Sequence, residues 1–202
     1  MLVITGTQRS GTTVVASLFA AQRHKIATQG TDEVGGYEHP EICASYRYFL
    51  NDETFPYDDF PMPEVLGLNF VNLEDKVAKF SYLLMNPVFV HIWARIRPPD
   101  FGDKFLIMVR NATAVCASKE AHKERFEHDS ILLKQPAEVL SWNCGTSIRV
   151  LRSYGYPVAF VSFYNLMVGT HALNEALEAL EEPYRISEAT WGKVIDTSRI
   201  HF

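Results

Sequence analysis

Arg9 stands between two glycines in the stretch Gly6-Thr7-Gln8-Arg9-Ser10-Gly11-Thr12-Thr13. Leu2, Val3 and Ile4 before it make a short apolar strand, and Val15, Leu18 and Phe19 after it recur at helical spacing. Strand, glycine-rich loop and helix in that order present backbone N–H groups and a helix N-terminus to an anion, phosphate above all. The spacing of Gly6 and Gly11 is that of a P-loop, in which a Lys follows the second glycine. Here that position is Thr12, and the loop's cation is Arg9, before Gly11. An anion other than the triphosphate of an ordinary NTPase is therefore expected. A second pair lies far along the chain. Arg110 closes the apolar run Phe105 to Val109, and Ser118 follows eight residues later, on an expected helix. A strand-end Arg and a helical Ser at this spacing can converge on one anion, and strand ends are where open α/β sheets place their ligands.

Arg9-Ser10-Gly11-Thr12-Thr13 resembles the 5′-phosphosulfate loop of the sulfotransferases that use 3′-phosphoadenosine 5′-phosphosulfate (PAPS). That loop reads Lys or Arg, Ser or Gly, Gly-Thr, then Thr or Ser. Phe105 to Ser118 is similar to the family's strand, loop and helix that end in an Arg and a Ser, with Ala112 where Pro is usual. Gly35-Gly36-Tyr37-Glu38, Val161 to Leu166 and Val194 to Arg199 look like three less specific family segments, in particular those of small bacterial and phage-type members. The resemblance implies an α/β fold of P-loop type, a parallel sheet with helices on both faces. It implies PAPS as co-substrate, its bisphosphate as product, and no metal. Thr7, Gln8, Arg9, Ser10, Gly11, Thr12 and Thr13 would hold the 5′ end. Arg110 and Ser118 would hold the 3′-phosphate, and Arg199 would close over the nucleotide. The Lys-Asp-Pro segment of many relatives has no counterpart; Met85-Asn86-Pro87 stands there without a cation.

Sulfuryl transfer to a hydroxyl makes three demands. Charge building on the leaving phosphate must be stabilised where it develops, a task suited to the loop N–H groups and Arg9. The acceptor must lie in line. Its hydroxyl must lose a proton to a carboxylate or an imidazole. Glu38, Glu33, Asp32 and His39, all in the loop after the first helix, are candidates for that base, with Glu38 preferred. Gly35 and Gly36 permit a sharp turn before it, and Pro40 suits a helix start after it. The acceptor is expected to be a glycan or small alcohol. Two rival readings are an ATP- and Mg-dependent small-molecule phosphotransferase and an inactive nucleotide-binding module. Against the first stand Thr12 in place of Lys and a central strand ending in Arg110-Asn111 rather than an Asp.

These residues need a scaffold. Lys104 to Arg110 and Val158 to Phe163 read as buried strands, and Lys25 to Thr28 as a short one. Helices are expected over Ala112 to Phe126, from Pro136 until Gly155 stops the helix, and around His171 to Leu180. Residues 72–85 read as an amphipathic helix, while 88–93 fit strand or helix equally. Alternating strands and helices imply a parallel sheet covered on both faces. The acidic, aromatic stretch Tyr57 to Phe60 reads as a surface loop. His91 is expected to be a core histidine, and Cys43, Cys116 and Cys144 small buried residues.

At 202 residues, 47% of them hydrophobic, one domain over 1–202 with a full core is expected. Lys and Arg number 19 against 24 Asp and Glu, a net charge of −5, which disfavours nucleic acid and acidic membranes as partners. Any anion must then be held by local cations against an unfavourable mean field. Three widely spaced cysteines form no disulfide framework and point to a reducing compartment. With neither a signal peptide nor an apolar run of membrane-spanning length, a cytoplasmic location is expected.

Overall fold

The structure is a computed structural model, and the residues it describes are 1–7, 9–24, 26, 77–81, 83–120 and 136–195. Among them, β1 (Leu2–Gly6), β2 (Val77–Lys79), β3 (Lys104–Val109) and β4 (Val158–Ser162) form one sheet in the order β2-β1-β3-β4. Every pairing is parallel, with Leu2 opposite Val77 on one side and Lys104 on the other. The helices are α1 (Thr12–Ala21), α2 (Pro87–Ile96), α3 (Ala112–Glu120), α4 (Ala137–Ser153), α5 (Phe163–Val168), α6 (His171–Ala179) and α7 (Glu188–Val194). None of the described helices is long and apolar enough to cross a membrane.

Successive strand residues point to opposite faces, so a strand buried on both sides must be apolar throughout. Leu2, Val3 and Ile4 meet that demand, as do Phe105 to Met108. Val3, Ala78, Phe105 and Ile107 pack against Phe89, Val90 and Trp93 of α2 and Leu140 and Leu151 of α4. Leu2, Ile4, Val77, Leu106 and Met108 pack against Val15, Leu18 and Phe19 of α1 and Leu173 and Leu177 of α6. The expected parallel sheet with a helix layer on each face is the one observed.

The start of each helix sets where its side chains land. In α2, Pro87 occupies the first turn and the Asn86 side chain accepts from Val88 N at 3.0 Å. In α3, Asn111 accepts from Thr113 N at 2.8 Å, which fixes the helix immediately after Arg110. Arg97 and Asp103 close the turn before β3 with two bonds of 2.6 and 2.7 Å, both side chains fully buried. Such a pair costs desolvation, and breaking it by losing one partner costs more.

Four expectations change. The residues read as an amphipathic helix over 72–85 contain β2 instead, three residues with no exposed position. The short strand expected at Lys25 to Thr28 appears, within the described residues, only as a single parallel bridge from Ile26 to Val77. His91 is not in the core. Phe89, Val90 and Trp93 face the sheet, which turns His91 outward, where its ring nitrogen bonds Tyr154 Oη at 2.8 Å. Cys116 is exposed, while Cys144 is half-buried, with its thiol pushed up to about 11 by burial; Cys43 lies outside the described residues.

Candidate active site

Among the described strands β2 lies on one side of β1 and β3 on the other, so the chain order reverses direction between β1 and β3. In open α/β sheets such a switch point opens a crevice at the C-terminal strand ends. Gly6 pairs with Met108 at that end, and the two chains leaving it carry Arg9 and Arg110. A Cβ on Gly6 would lie 2.6 Å from the Met108 carbonyl oxygen and 2.5 Å from Ser10 Oγ. Only glycine lets the loop leave the strand so close to β3.

The loop then folds on itself, Ser10 N donating to Thr7 O at 3.1 Å. Arg9 takes a left-handed backbone, φ 63°, and Gly11 follows at φ 96°. The αL conformation is unfavourable for a residue with a Cβ and persists where surrounding contacts hold it. Two such contacts are present. Arg110 Nη1 donates to the Arg9 carbonyl at 3.1 Å, and Arg9 Nε donates to Ser118 Oγ at 2.9 Å. Arg9, far in sequence from Arg110 and Ser118, therefore meets both at one place.

Gly11 caps α1 without offering a side chain to its first-turn N–H groups, and the first turn holds no acid. The positive end of the helix dipole is thus left to whatever binds there. Ser10 Oγ is buried and has no hydrogen-bond partner among the described residues, a state that a bound oxyanion relieves. Thr12 turns inward, its hydroxyl 3.1 Å from Ser81 Oγ, whereas Thr13 is exposed. Thr5 Oγ1 donates to Phe80 O at 2.7 Å, tying β1 to the segment after β2. A bare helix end, loop N–H groups, two guanidiniums and an orphaned hydroxyl fit a phosphate-bearing ligand. Gln8, Asp32, Glu33, Glu38, His39 and Arg199 lie outside the described residues, as does the stretch Tyr57 to Phe60.

Two residues at this end of the sheet escape a reading of the sequence. Lys79, 4% exposed, ends β2 opposite Ile4, on the same face of the sheet as Val77 and α1. A lysine is seldom buried without a task for its charge. Its signal, one Lys in a segment patterned like a helix, is too weak to single out. The other is Phe163, which the strand pattern absorbed. Its ring lies 4.4 Å from the Arg110 guanidinium carbon.

No protein-family model matches the chain, and no curated protein matches it. Solved structures do. The sulfotransferase domain from the curacin biosynthetic pathway superposes with a TM-score of 0.52 at 14% identity, over 92% of this chain and 75% of that one. The sulfotransferase STF9 from Mycobacterium avium gives 0.55 at 11% identity, over 96% of this chain and 66% of STF9. The chain thus has the α/β fold of the sulfotransferases over most of its length, although few residues are shared.

Proposed function

We propose that the protein is a PAPS-dependent sulfotransferase acting on a hydroxyl of a glycan or small alcohol. The observation that carries this reading is the meeting of Arg9, Arg110 and Ser118 at the ends of β1 and β3. PAPS supplies a sulfuryl group on a good leaving phosphate. The loop N–H groups, Ser10 and the bare end of α1 hold the 5′ end, with Thr7, Gln8, Gly11, Thr12 and Thr13 shaping the loop. Arg110 and Ser118 hold the 3′-phosphate, and Arg199 closes over the nucleotide. Arg9 stabilises charge on the phosphate oxygen as its bond to sulfur breaks. Glu38 takes the acceptor's proton as the new S–O bond forms, with Glu33 as its nearest rival.

Calorimetric titration with adenosine 3′,5′-bisphosphate and with AMP tests the reading. The bisphosphate is expected to bind much more tightly, without dependence on divalent metal. Arg110→Ala should remove most of that preference, a cost of roughly 2–5 kcal/mol if the charge pair is desolvated. Equal affinities, or ATP binding that requires Mg²⁺, would favour the phosphotransferase instead. Tight bisphosphate binding without turnover of labelled PAPS over an acceptor panel would leave a nucleotide-binding module.

A further inference from the structure

The first residue after β4 lies beside the first residue after β3. The two strands are parallel, with Val109 opposite Ser162, so Phe163 and Arg110 emerge side by side. Phe163 is 8% exposed, and the guanidinium of Arg110 lies over its ring at 4.4 Å. The same ring reaches the phosphate-type loop. A Cβ on Gly11 would stand 2.6 Å from Phe163 Cδ2 and 3.0 Å from Cε2. One aromatic side chain therefore touches both the N-cap of α1 and the cation on the neighbouring strand end.

A guanidinium set over an aromatic face is attracted by the ring's negative quadrupole and keeps its N–H donors in its own plane. Those in-plane donors are the ones that recognise a phosphate. Nη1 already reaches the Arg9 carbonyl, which fixes one edge of the fork. The ring supports the other dimension and prevents the long side chain from swinging out of the crevice. Because the ring also abuts Gly11, the separation between the loop and Arg110 is set by a rigid spacer.

We propose that Phe163 is a positioning residue for anion recognition: its ring holds the Arg110 guanidinium at a fixed distance from the loop and so sets selectivity for a ligand with a second phosphate. The proposal rests on the reading of the site as one for a 3′-phosphorylated nucleotide. It involves no contact between Phe163 and the reacting atoms.

The test uses the full chain and the variants Phe163→Leu and Phe163→Tyr, titrated with adenosine 3′,5′-bisphosphate and with AMP. Phe163→Leu is expected to lose about tenfold in bisphosphate affinity, within the range of a desolvated cation–π contact, with AMP affinity unchanged. Phe163→Tyr should keep the wild-type ratio. An unchanged ratio in Phe163→Leu, or an equal loss for both ligands, overturns the proposal, the latter because it would mark loop packing alone. A second readout needs no nucleotide. In nitrogen-15 spectra the Arg110 Nε–H should be shifted by the ring current in the wild type and return towards an ordinary position in Phe163→Leu. No such difference sinks the proposal, even if nucleotide binds. Failure of the wild type to discriminate the bisphosphate from AMP, with the ring-current shift intact, sinks the nucleotide reading and the selectivity claim with it, leaving a stack without that role.

Discussion

Arg9 lies in the loop after β1 and Arg110 directly after β3, and their surroundings differ. Arg110 lies over an aromatic ring and is suited to hold a ligand in place. Arg9 belongs to the loop itself, on a backbone at φ 63°, with Nε turned to Ser118. Arg9→Ala should therefore lower turnover by about 10²–10³-fold, the scale of losing one oriented donor, with a much smaller loss in bisphosphate affinity. A variant with normal turnover and only weaker binding would reverse the assignment. Glu38→Gln, measured in the same assay, should keep affinity and lose roughly 10²–10⁴ in turnover. Should Glu33→Gln or His39→Asn show that loss instead, the base is that residue. At this scale the sequence was informative where charge broke an expected pattern. Arg9 displaced the usual Lys, and the distance from Arg110 to Ser118 matched one strand exit and two helical turns. It was silent on Lys79 and Phe163, whose placement depends on which strands become neighbours.

Among the elements, the junction of the loop with α1 is the most constrained. Gly11 combines a left-handed backbone with a ring where its Cβ would stand. Gly155, at φ 88°, has the same backbone demand but nothing within 4 Å of an added Cβ. Gly155→Ala should cost only the strain, about 1–3 kcal/mol, or roughly 2–12 °C in Tm. Gly11→Ala should lower Tm further and also abolish nucleotide binding, because the ring or the loop must move. Equal Tm losses with binding intact would show that the contact with Phe163 has no consequence. β1, β3, β4, α1 and α4 were legible because uninterrupted apolar runs or a single apolar stripe mark them without reference to the rest of the chain. β2 was not. Its three residues include Ala and Lys, poor strand formers, and only the open edge of β1 makes them a strand. α5 was hidden for a related reason: Phe163 continues the apolar pattern of β4, although the backbone has already turned helical.

At the scale of the whole molecule, His24 and Glu188 make stability depend on pH on the acid side, each below its own ordinary pKa. His24 is wedged against Phe19 and Tyr184, with ring centroids 5.6 and 4.8 Å away, and burial holds its pKa below the ordinary 6.5. The unfolded chain then binds a proton that the native state resists. Stability is full above about pH 6.5 and falls as pH drops towards the lower folded value. Glu188 accepts bonds from the side chain and backbone N–H of Thr170, which hold its pKa below 4.5. Its contribution is present above that value and is lost as pH falls through the folded one. Thermal midpoints from pH 7.5 to 3 should show His24→Phe flattening the upper part of the curve and Glu188→Gln the lower. Either variant tracking the wild type throughout would refute the corresponding assignment. β1 lies between β2 and β3 in the sheet. It finds its partners at Val77 and Lys104, with much of the chain between. Leu2, Val3 and Ile4 are synthesised long before either neighbour, so pairing β1 requires the closure of large loops and cannot occur within a short nascent segment. Until β3 has left the exit tunnel, one edge of β1 stays open to other chains even after β2 has paired, and an unpaired strand edge of that kind favours association.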